Sequence, residues 1–312
     1  MTAPIQIRMG GYGPSTTAFS KSLKFLGDRL ESEFGDGVDV KYVWNIMDLG
    51  YRGEDILFLV ESGMLTLGYQ SSSYLTDRVP ELGFVDLPFL FENNAQARTA
   101  IDGPLGELLA MKIEDRTDFR ILGFFENGFR HLSNRLRPVR SPADLAGMTI
   151  RVMPSDVHAR TFELLGATPK KMDLSEAIAG IVDGSLDAQE NPLANTVTYG
   201  AHKFHRHHTL TGHFYVSRPI FTHRPSVDGW PEALRNALYR ATGDAIAYQR
   251  QLSEQEAVDA RLAIEAAGCE IATLTPDERQ AFRTAVKPMH DNARKQFAPE
   301  LHRSTDLQSI FE

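Results

Sequence analysis

The sequence predicts an α/β fold organised in two lobes, and three features of the chain support this. The N-terminal part alternates strand-like and helix-like runs, a second such series begins near residue 128, and a proline-free stretch after Trp230 is long enough to cross two lobes. Because 312 residues exceed what one small hydrophobic core accommodates, two lobes or one large domain are expected.

The first series has a β-α-β-α-β order. IQIRMG reads as a strand, and the helix that follows repeats apolar residues every three or four positions: Phe19, Leu23, Leu26 and Leu30. Ser15 or Thr16 is its expected N-cap, and Gly35 its expected end. VDVKYVW and MLTLGY alternate like strands, with the helix-like EDILFLVESG between them. This order predicts a largely parallel sheet with helices on its faces.

After the first series come a predicted helix over 94–117 and the strand RILGFFE. The second series then contains the strand MTIRVM, the helices DVHARTFELLG and LSEAIAGIVDG, and LDAQEN as a strand leading into a loop. Beyond it, Pro231 suits the first position of a helix and Gly268 its end, with no proline between them. Such a helix is about 55 Å long and exceeds the width of one lobe. The alternative is two helices with a kink at Gly243.

Composition and charge exclude several classes of protein. A net charge of -8 and the lack of a basic tract argue against a nucleic-acid-binding protein. No apolar run reaches the length of a membrane-spanning helix. The single cysteine, Cys269, excludes an intramolecular disulfide and is expected to be a half-buried small apolar residue. MTAPIQIRMG is no signal peptide, so the protein is either cytoplasmic or has lost one.

The chain carries no motif that identifies a catalytic or nucleotide site. Gly10, Gly11 and Gly13 in GGYGPST follow a strand but do not fit GxGxxG or the P-loop, and a tight loop is expected there. HExxH and GxSxG are both missing. The acidic residues around LDAQEN (Asp183, Asp187 and Glu190) would act as an acid–base pair only in different environments, and sequence does not show burial.

Five histidines crowd the stretch HKFHRHHTLTGH: His202, His205, His207, His208 and His213. Histidines three positions apart on a helix can share a face and bind zinc. No carboxylate is spaced with them, and lysine and arginine are abundant nearby. The expectation is therefore a solvated surface segment, with metal binding left as the alternative.

Two arginines lie where arginine is unusual. Arg130 follows the strand RILGFFE, and Arg151 lies inside the apolar strand MTIRVM. A buried guanidinium needs an anionic partner. Each arginine is therefore either part of an internal salt bridge or a fork of donors directed at a ligand carboxylate.

Residues 123–221 resemble the substrate-binding proteins of TRAP (tripartite ATP-independent periplasmic) transporters, of the DctP type. The resemblance rests on GFRHLSN, RPVRSPADLAGMTIRV, LLGATPKKMDLSEAIAGIVDGSLDAQENPLANT and KFHRHHTLTGHFY, in that order. It extends more loosely to VPELGFVDLPFLFEN. The resemblance implies a two-lobed periplasmic-binding-protein-like fold with hinge strands, and a long helix spanning both lobes.

The resemblance also implies roles for individual residues. Arg151 in IRVMP corresponds to the arginine that pairs with the ligand carboxylate, Arg130 to a preceding arginine in a GxR motif, and Asn191 to the asparagine of a QENP motif. DAQENPLAN is thus similar to a ligand-facing loop in which Asn191 offers an amide. Its neighbours Gln189 and Glu190, with Asp187, are expected to hold that loop in shape.

The chain departs from sialic-acid-binding relatives of this kind. Leu174 stands where those relatives have phenylalanine, and Ser71 and Tyr74 stand where they have charged residues. The N-terminal lobe instead offers aromatic residues, which either face the ligand or pack in the core: Tyr12, Trp44, Tyr69 and Tyr74. With Phe214 and Leu174, Tyr12 and Tyr74 complete the predicted set of ligand contacts. An aromatic or apolar acid becomes plausible, while a dicarboxylate or a sugar acid stays open.

The sequence therefore predicts an extracytoplasmic protein, its signal peptide removed, that binds a small organic acid and passes it to a membrane permease. It is expected to be a monomer without cofactor, metal or enzymatic activity. Residues 1–126 and 216–252 are expected to form lobe I, and 127–215 and 253–312 lobe II, with a ligand cleft between them. Hinges are expected near 124–128 and 213–217. The alternatives are a sensor for a signalling partner, or an enzyme using Glu190 or a histidine as base.

Overall fold

The computed structural model describes residues 3–304, which form nine β-strands and eleven α-helices. The strands are β1 (Ile5–Gly10), β2 (Val38–Val43), β3 (Leu67–Tyr69), β4 (Phe119–Asn134), β5 (Thr149–Val152), β6 (Thr168–Lys171), β7 (Ala188–Asn191), β8 (His207–His223) and β9 (Glu270–Thr273). The helices are α1 (Ala18–Phe34), α2 (Ile56–Glu61), α3 (Asn94–Ile101), α4 (Pro104–Arg116), α5 (Asp156–Leu164), α6 (Leu174–Asp183), α7 (Leu193–Thr198), α8 (Arg224–Asp228), α9 (Glu232–Ala266), α10 (Pro276–Gln296) and α11 (Pro299–Arg303).

The chain divides into two compact units. The first contains the chain up to Ser71 together with Ala110–Glu126 and Ser217–Gln255. The second contains Ser72–Leu109, Asn127–Val216 and the chain from Glu256 onward. Strands β4 and β8 and helix α9 each begin in one unit and end in the other.

The first unit is built on the N-terminal β-α-β-α-β order that the sequence predicts. β1 pairs in parallel with β2 and β3, and β3 pairs antiparallel with the end of β8. The apolar face of α1 is buried, including Leu23, Leu26 and Leu30. Its N-cap is Thr17, whose hydroxyl accepts from the Ser20 N–H at 3.2 Å, so the expected cap at Ser15 or Thr16 was wrong.

The second unit is a mixed sheet covered by helices. β5 pairs in parallel with β6 and β7, β7 pairs antiparallel with the end of β4, and β9 pairs in parallel with the start of β8. The helix predicted over 94–117 is two helices, α3 and α4. The break lies at Gly103, directly before Pro104, whose ring nitrogen has no hydrogen to donate to a continuing helix.

Ser72–Leu109 belongs to the second unit, whereas the sequence assigned it to lobe I. Buried polar contacts explain this difference. The carboxylate of Asp86 accepts hydrogen bonds from Ser73 at 2.8 Å and from Ser155 at 2.7 Å, and it lies 3.4 Å from Nε2 of His158. These side chains are almost fully buried, so the segment is fixed to α5 by polar contacts that a pattern of apolar residues does not reveal.

Helix α9 confirms the prediction of one long helix after Trp230. It runs without interruption for 35 residues, about 52 Å, and passes through Gly243 as a single element. Its first part belongs to the first unit, and its last turns belong to the second. In the second unit, Ala260 and Ile264 of α9 pack against Leu193 and Cys269.

Candidate ligand-binding site

Arg151 is buried without a carboxylate partner among residues 3–304. Only 2% of the residue is exposed, and its Nε and Nη2 donate to the carbonyl oxygen of Met172 at 3.2 and 3.0 Å. Nη2 also donates to the hydroxyl of Tyr74 at 2.8 Å. Within residues 3–304, Arg151 has no ion pair with an acidic side chain, and its Nη1 makes no hydrogen bond. Its charge therefore meets only neutral oxygens, although burial of a charge favours an anionic partner.

Arg130, by contrast, is already neutralised. Its Nε pairs with Oε2 of Glu190, and its Nη2 donates to Oε1 at 2.9 Å. Nη2 also donates to the backbone oxygen of Glu190, and both side chains are almost fully buried. Burial alone would raise the pKa of the Glu190 carboxyl, but the Arg130 guanidinium together with His213 and His158 outweighs it, and that pKa lies far below its usual range.

Two histidines that interact electrostatically with this ion pair have lowered pKa values. Nε2 of His213 lies 3.6 Å from Oε2 of Glu190, and burial lowers the pKa of His213 despite that neighbouring carboxylate. Burial, with the nearby His213, Arg279 and Arg130, lowers the pKa of His131 to about 3. Because both rings stay neutral at neutral pH, the charges of the ion pair balance each other.

DAQENPLAN forms the end of a strand and the start of a helix. β7 ends at Asn191, and α7 begins directly after Pro192, so the predicted loop was wrong. The side-chain amides of this segment form a hydrogen-bonded series. Asn191 donates to Gln189 at 2.8 Å, and Asn195 donates to Asn191 at 3.4 Å and to Asn127 at 3.1 Å.

Strand register determines which of these residues share a face of the sheet. Arg151 of β5 lies opposite Gln189 of the parallel strand β7, and side chains at paired positions point to the same face. Asn191, two residues further along β7, shares that face, whereas Glu190 between them points to the opposite face, where it meets Arg130. The structure therefore brings Arg151 and Asn191 to one face and places Arg130 on the other.

Three kinds of comparison place the chain among known proteins. The model of the DctP family, described as "Bacterial extracellular solute-binding protein, family 7", matches residues 10–296. The chain belongs to this family.

Individual relatives agree with this assignment. A solute-binding protein of Verminephrobacter eiseniae is 31% identical over 268 residues, which cover 86% of this chain and 78% of that protein. The solved sugar acid binding protein DctPAm of Advenella mimigardefordensis, in complex with galactonate, superposes with a TM-score of 0.92 at 25% identity over 100% of both chains. A TRAP periplasmic solute-binding protein of Sulfurospirillum deleyianum with bound succinate gives 0.91 at 26% identity, covering 99% of this chain and 100% of that one.

The chain is thus a TRAP-type solute-binding protein, as the sequence motifs indicated, and the proteins of this family serve transport rather than catalysis. TRAP solute-binding proteins are periplasmic and work with membrane permease components. Among residues 3–304, no helix combines the length and hydropathy that crossing a bilayer requires.

The other residues predicted to contact the ligand lie in both units of this solute-binding protein. Tyr74 contacts Arg151 directly. Leu174 is the first residue of α6, and Phe214 of β8 stacks on the ring of His158 at 4.0 Å; both lie in the second unit and are buried. Tyr12 lies in the first unit. For these residues, as for Arg130, Arg151 and Asn191, contact with a ligand stays a prediction.

Two further aromatic residues of the first unit, Tyr69 and Trp44, pack against other aromatic rings. Tyr69 is 1% exposed and lies 5.3 Å from Tyr12 between ring centroids, and Trp44 stacks on Tyr42 at 4.3 Å. Sequence reasoning missed Arg218 of β8, whose guanidinium lies 4.0 Å from the ring of Phe19 and 5.0 Å from that of Tyr12. Its signal, an arginine within the apolar run FYVSRPIF, is the one that identified Arg151.

The expectation of a solvated histidine segment was wrong. His205, His208 and His213 are at most 2% exposed, because β8 runs through the interior and His205 is buried just before it, whereas Lys203, Phe204 and Arg206 are exposed. Burial lowers the pKa values of His205 and His208 to about 4. Residues 3–304 contain no cluster of histidine, cysteine and acidic side chains that could hold a metal ion.

Proposed function

We propose that this protein works outside the cytoplasm. There it binds a small organic acid through the guanidinium of Arg151 and delivers the acid to a TRAP permease in the membrane. The observation that carries the proposal is the buried charge of Arg151, whose contacts within the described chain are all neutral oxygens. A ligand carboxylate supplies the missing negative charge.

The guanidinium is held in place before any ligand arrives. Met172 O fixes Nε and Nη2 from one side, and the Tyr74 hydroxyl fixes Nη2 from another. Nη1, which makes none of these hydrogen bonds, keeps both of its N–H groups for a ligand carboxylate, and preorganisation of the guanidinium reduces the entropy lost on binding. A lysine at this position would present a single point charge without that geometry.

The ligands of relatives support the chemical class. The protein from Advenella mimigardefordensis was solved with galactonate, and the one from Sulfurospirillum deleyianum with succinate. These two ligands share a carboxylate and differ in the rest of the molecule. A carboxylate anchor common to the family, with other residues selecting the remainder, accounts for both.

Permease delivery rests on family membership, because TRAP solute-binding proteins work with membrane permease components. We propose that the protein acts as a monomer.

The test is a thermal-shift screen of organic acids followed by calorimetric titration of each hit with wild type, Arg151→Ala and Arg151→Lys. Removing one side of a buried charge pair costs about 3–5 kcal/mol, so Arg151→Ala should weaken binding by about two to three orders of magnitude or more. Arg151→Lys should also weaken it strongly.

Arg160→Ala is the matched control, because Arg160 lies in the same unit, is exposed, and forms a surface ion pair with Glu163. It should bind like wild type. Circular dichroism checks that each variant is folded. Binding by folded Arg151→Ala within about threefold of wild type would show that Arg151 is not the carboxylate anchor.

A further inference from the structure

Asn127 ends the amide series with an unpaired donor. The residue is 8% exposed, and its Oδ1 accepts a hydrogen bond from Asn195 at 3.1 Å. Its Nδ2, however, has no acceptor within hydrogen-bond distance anywhere in residues 3–304. Buried polar groups are nearly always paired, so a buried amide N–H without an acceptor marks a place where an oxygen from another molecule fits.

The direction of the series explains why the unpaired group is a donor. Nδ2 of Asn195 donates hydrogen bonds to both Asn127 and Asn191, and Nδ2 of Asn191 donates one to Gln189. Gln189 in turn donates to two hydroxyls. Every Nδ2 or Nε2 of the series other than that of Asn127 thus donates within the chain.

Asn127 is connected to the face that carries Arg151. Asn195 bridges it to Asn191, and strand register places Asn191 on the same face of the sheet as Arg151. All four residues belong to the second unit. An acid held by Arg151 therefore has an amide donor available within the same unit.

We propose that the Nδ2 of Asn127 donates a hydrogen bond to a neutral oxygen of the bound acid, a hydroxyl or a keto oxygen, and thereby selects oxygenated acids over plain ones. This inference rests on the proposed function. A neutral oxygen fits better than a second carboxylate, because no lysine or arginine hydrogen-bonds to Asn127, Asn191 or Asn195 within the described residues. A neutral amide does not offset the cost of burying a second negative charge.

The test uses matched pairs of acids that differ in their neutral oxygens: L-malate with succinate, D-glycerate with propanoate, and D-galactonate with hexanoate. Calorimetric titration compares wild type, Asn127→Ala and Asn127→Asp. Wild type should bind the oxygenated member of at least one pair about tenfold more tightly. Asn127→Ala should abolish that preference while binding the plain acid as wild type does. Asn127→Asp, which replaces the donor by an acceptor, should abolish it too.

Asn236→Ala is the matched control, an exposed asparagine in α9 that should keep the wild-type preference. The inference is overturned if wild type prefers no oxygenated acid in any pair, or if Asn127→Ala leaves the preference unchanged. An equal loss of affinity for both acids of a pair in Asn127→Ala, with a lower urea midpoint, shows a purely structural role and overturns the inference as well.

The Arg151 variants separate this inference from the proposed function. If Arg151→Ala binds every acid as wild type does, Arg151 is not the carboxylate anchor. The preference for oxygenated acids, measured with the Asn127 variants, still tests the hydrogen bond from Asn127.

Discussion

Replacing Glu190 by glutamine measures how strongly the second unit depends on its buried ion pair. The substitution keeps the shape of the side chain and removes its charge, which leaves the Arg130 guanidinium buried without a negative partner. Both side chains are at most 1% exposed, so solvent cannot take over that role. Removing one partner of such a pair destabilises a protein by about 3–5 kcal/mol.

A surface pair in the same unit gives the scale for comparison. Arg160 and Glu163 lie 2.9 Å apart, but their side chains are 58% and 50% exposed. Exposed pairs of this kind contribute about 0–1 kcal/mol. Glu163→Gln should therefore change the free energy of unfolding by less than about 1 kcal/mol, and Glu190→Gln by several times more.

The assay is urea unfolding followed by circular dichroism at pH 7.5 and at pH 5.5. The pKa of Glu190 is lowered in the folded protein, so the stability that its charge contributes is complete above the carboxyl's unfolded pKa of about 4.3 and is lost only as the pH falls through the lowered value. The cost of Glu190→Gln should thus be the same at both pH values. Adding Arg130→Met to Glu190→Gln should recover part of the loss, since no unpaired charge is left buried. If Glu190→Gln costs no more than Glu163→Gln, the pair does not hold this unit together.

Two other predictions concern stability. His205 and His208 have pKa values of about 4 in the folded protein, below the unfolded value of about 6.5, so the stability due to their neutral forms falls as the pH drops from about 6.5 towards 4. Lowering the pH from 7.5 to 5.0 should cost on the order of 2 kcal/mol for each ring, and His205→Gln should reduce the pH dependence of urea unfolding by that amount; an unchanged pH dependence would contradict burial of His205. Gly243→Ala should stabilise the protein by about 0.5–1 kcal/mol, because a methyl group there meets no atom within 4 Å and alanine favours an uninterrupted helix. A lower thermal midpoint for that variant would indicate a bend at Gly243.

Local patterns predicted most of the elements, and long-range pairing decided the ones that were missed. Apolar periodicity, or proline and glycine at the ends, predicts the elements β1, α1, β2 and α9. β6 does not, because TPKK contains a proline and two lysines and is mostly exposed. It is a strand because β5 offers it an edge, with Thr149 opposite Thr168. A single short segment carries no information about that edge.

The same limit applies to burial. HKFHRHHTLTGH has the composition of a solvated segment. Three of its histidines are nevertheless buried in or next to strand β8, whose start pairs with β9. Asp86 lies in an apolar stretch whose sequence gives no hint that Ser155 and His158 approach it. Contacts between residues far apart in the chain decide such positions, and periodicity within a window does not report them.

Arg130 and Arg151 could not be distinguished from sequence by residue type or surroundings, yet the alternation of β7 separates them. In the run Gln189–Glu190–Asn191, successive side chains point to opposite faces, so one short strand supplies a carboxylate to Arg130 and amides to the face of Arg151. A shift of the strand by one residue would reverse this arrangement and bring Glu190 to the face of Arg151. Arg151 would then be neutralised from within the protein, and Arg130 would be left with an amide. The register that β7 keeps with both β4 and β5 is therefore what leaves the charge of Arg151 available for the carboxylate of an organic acid.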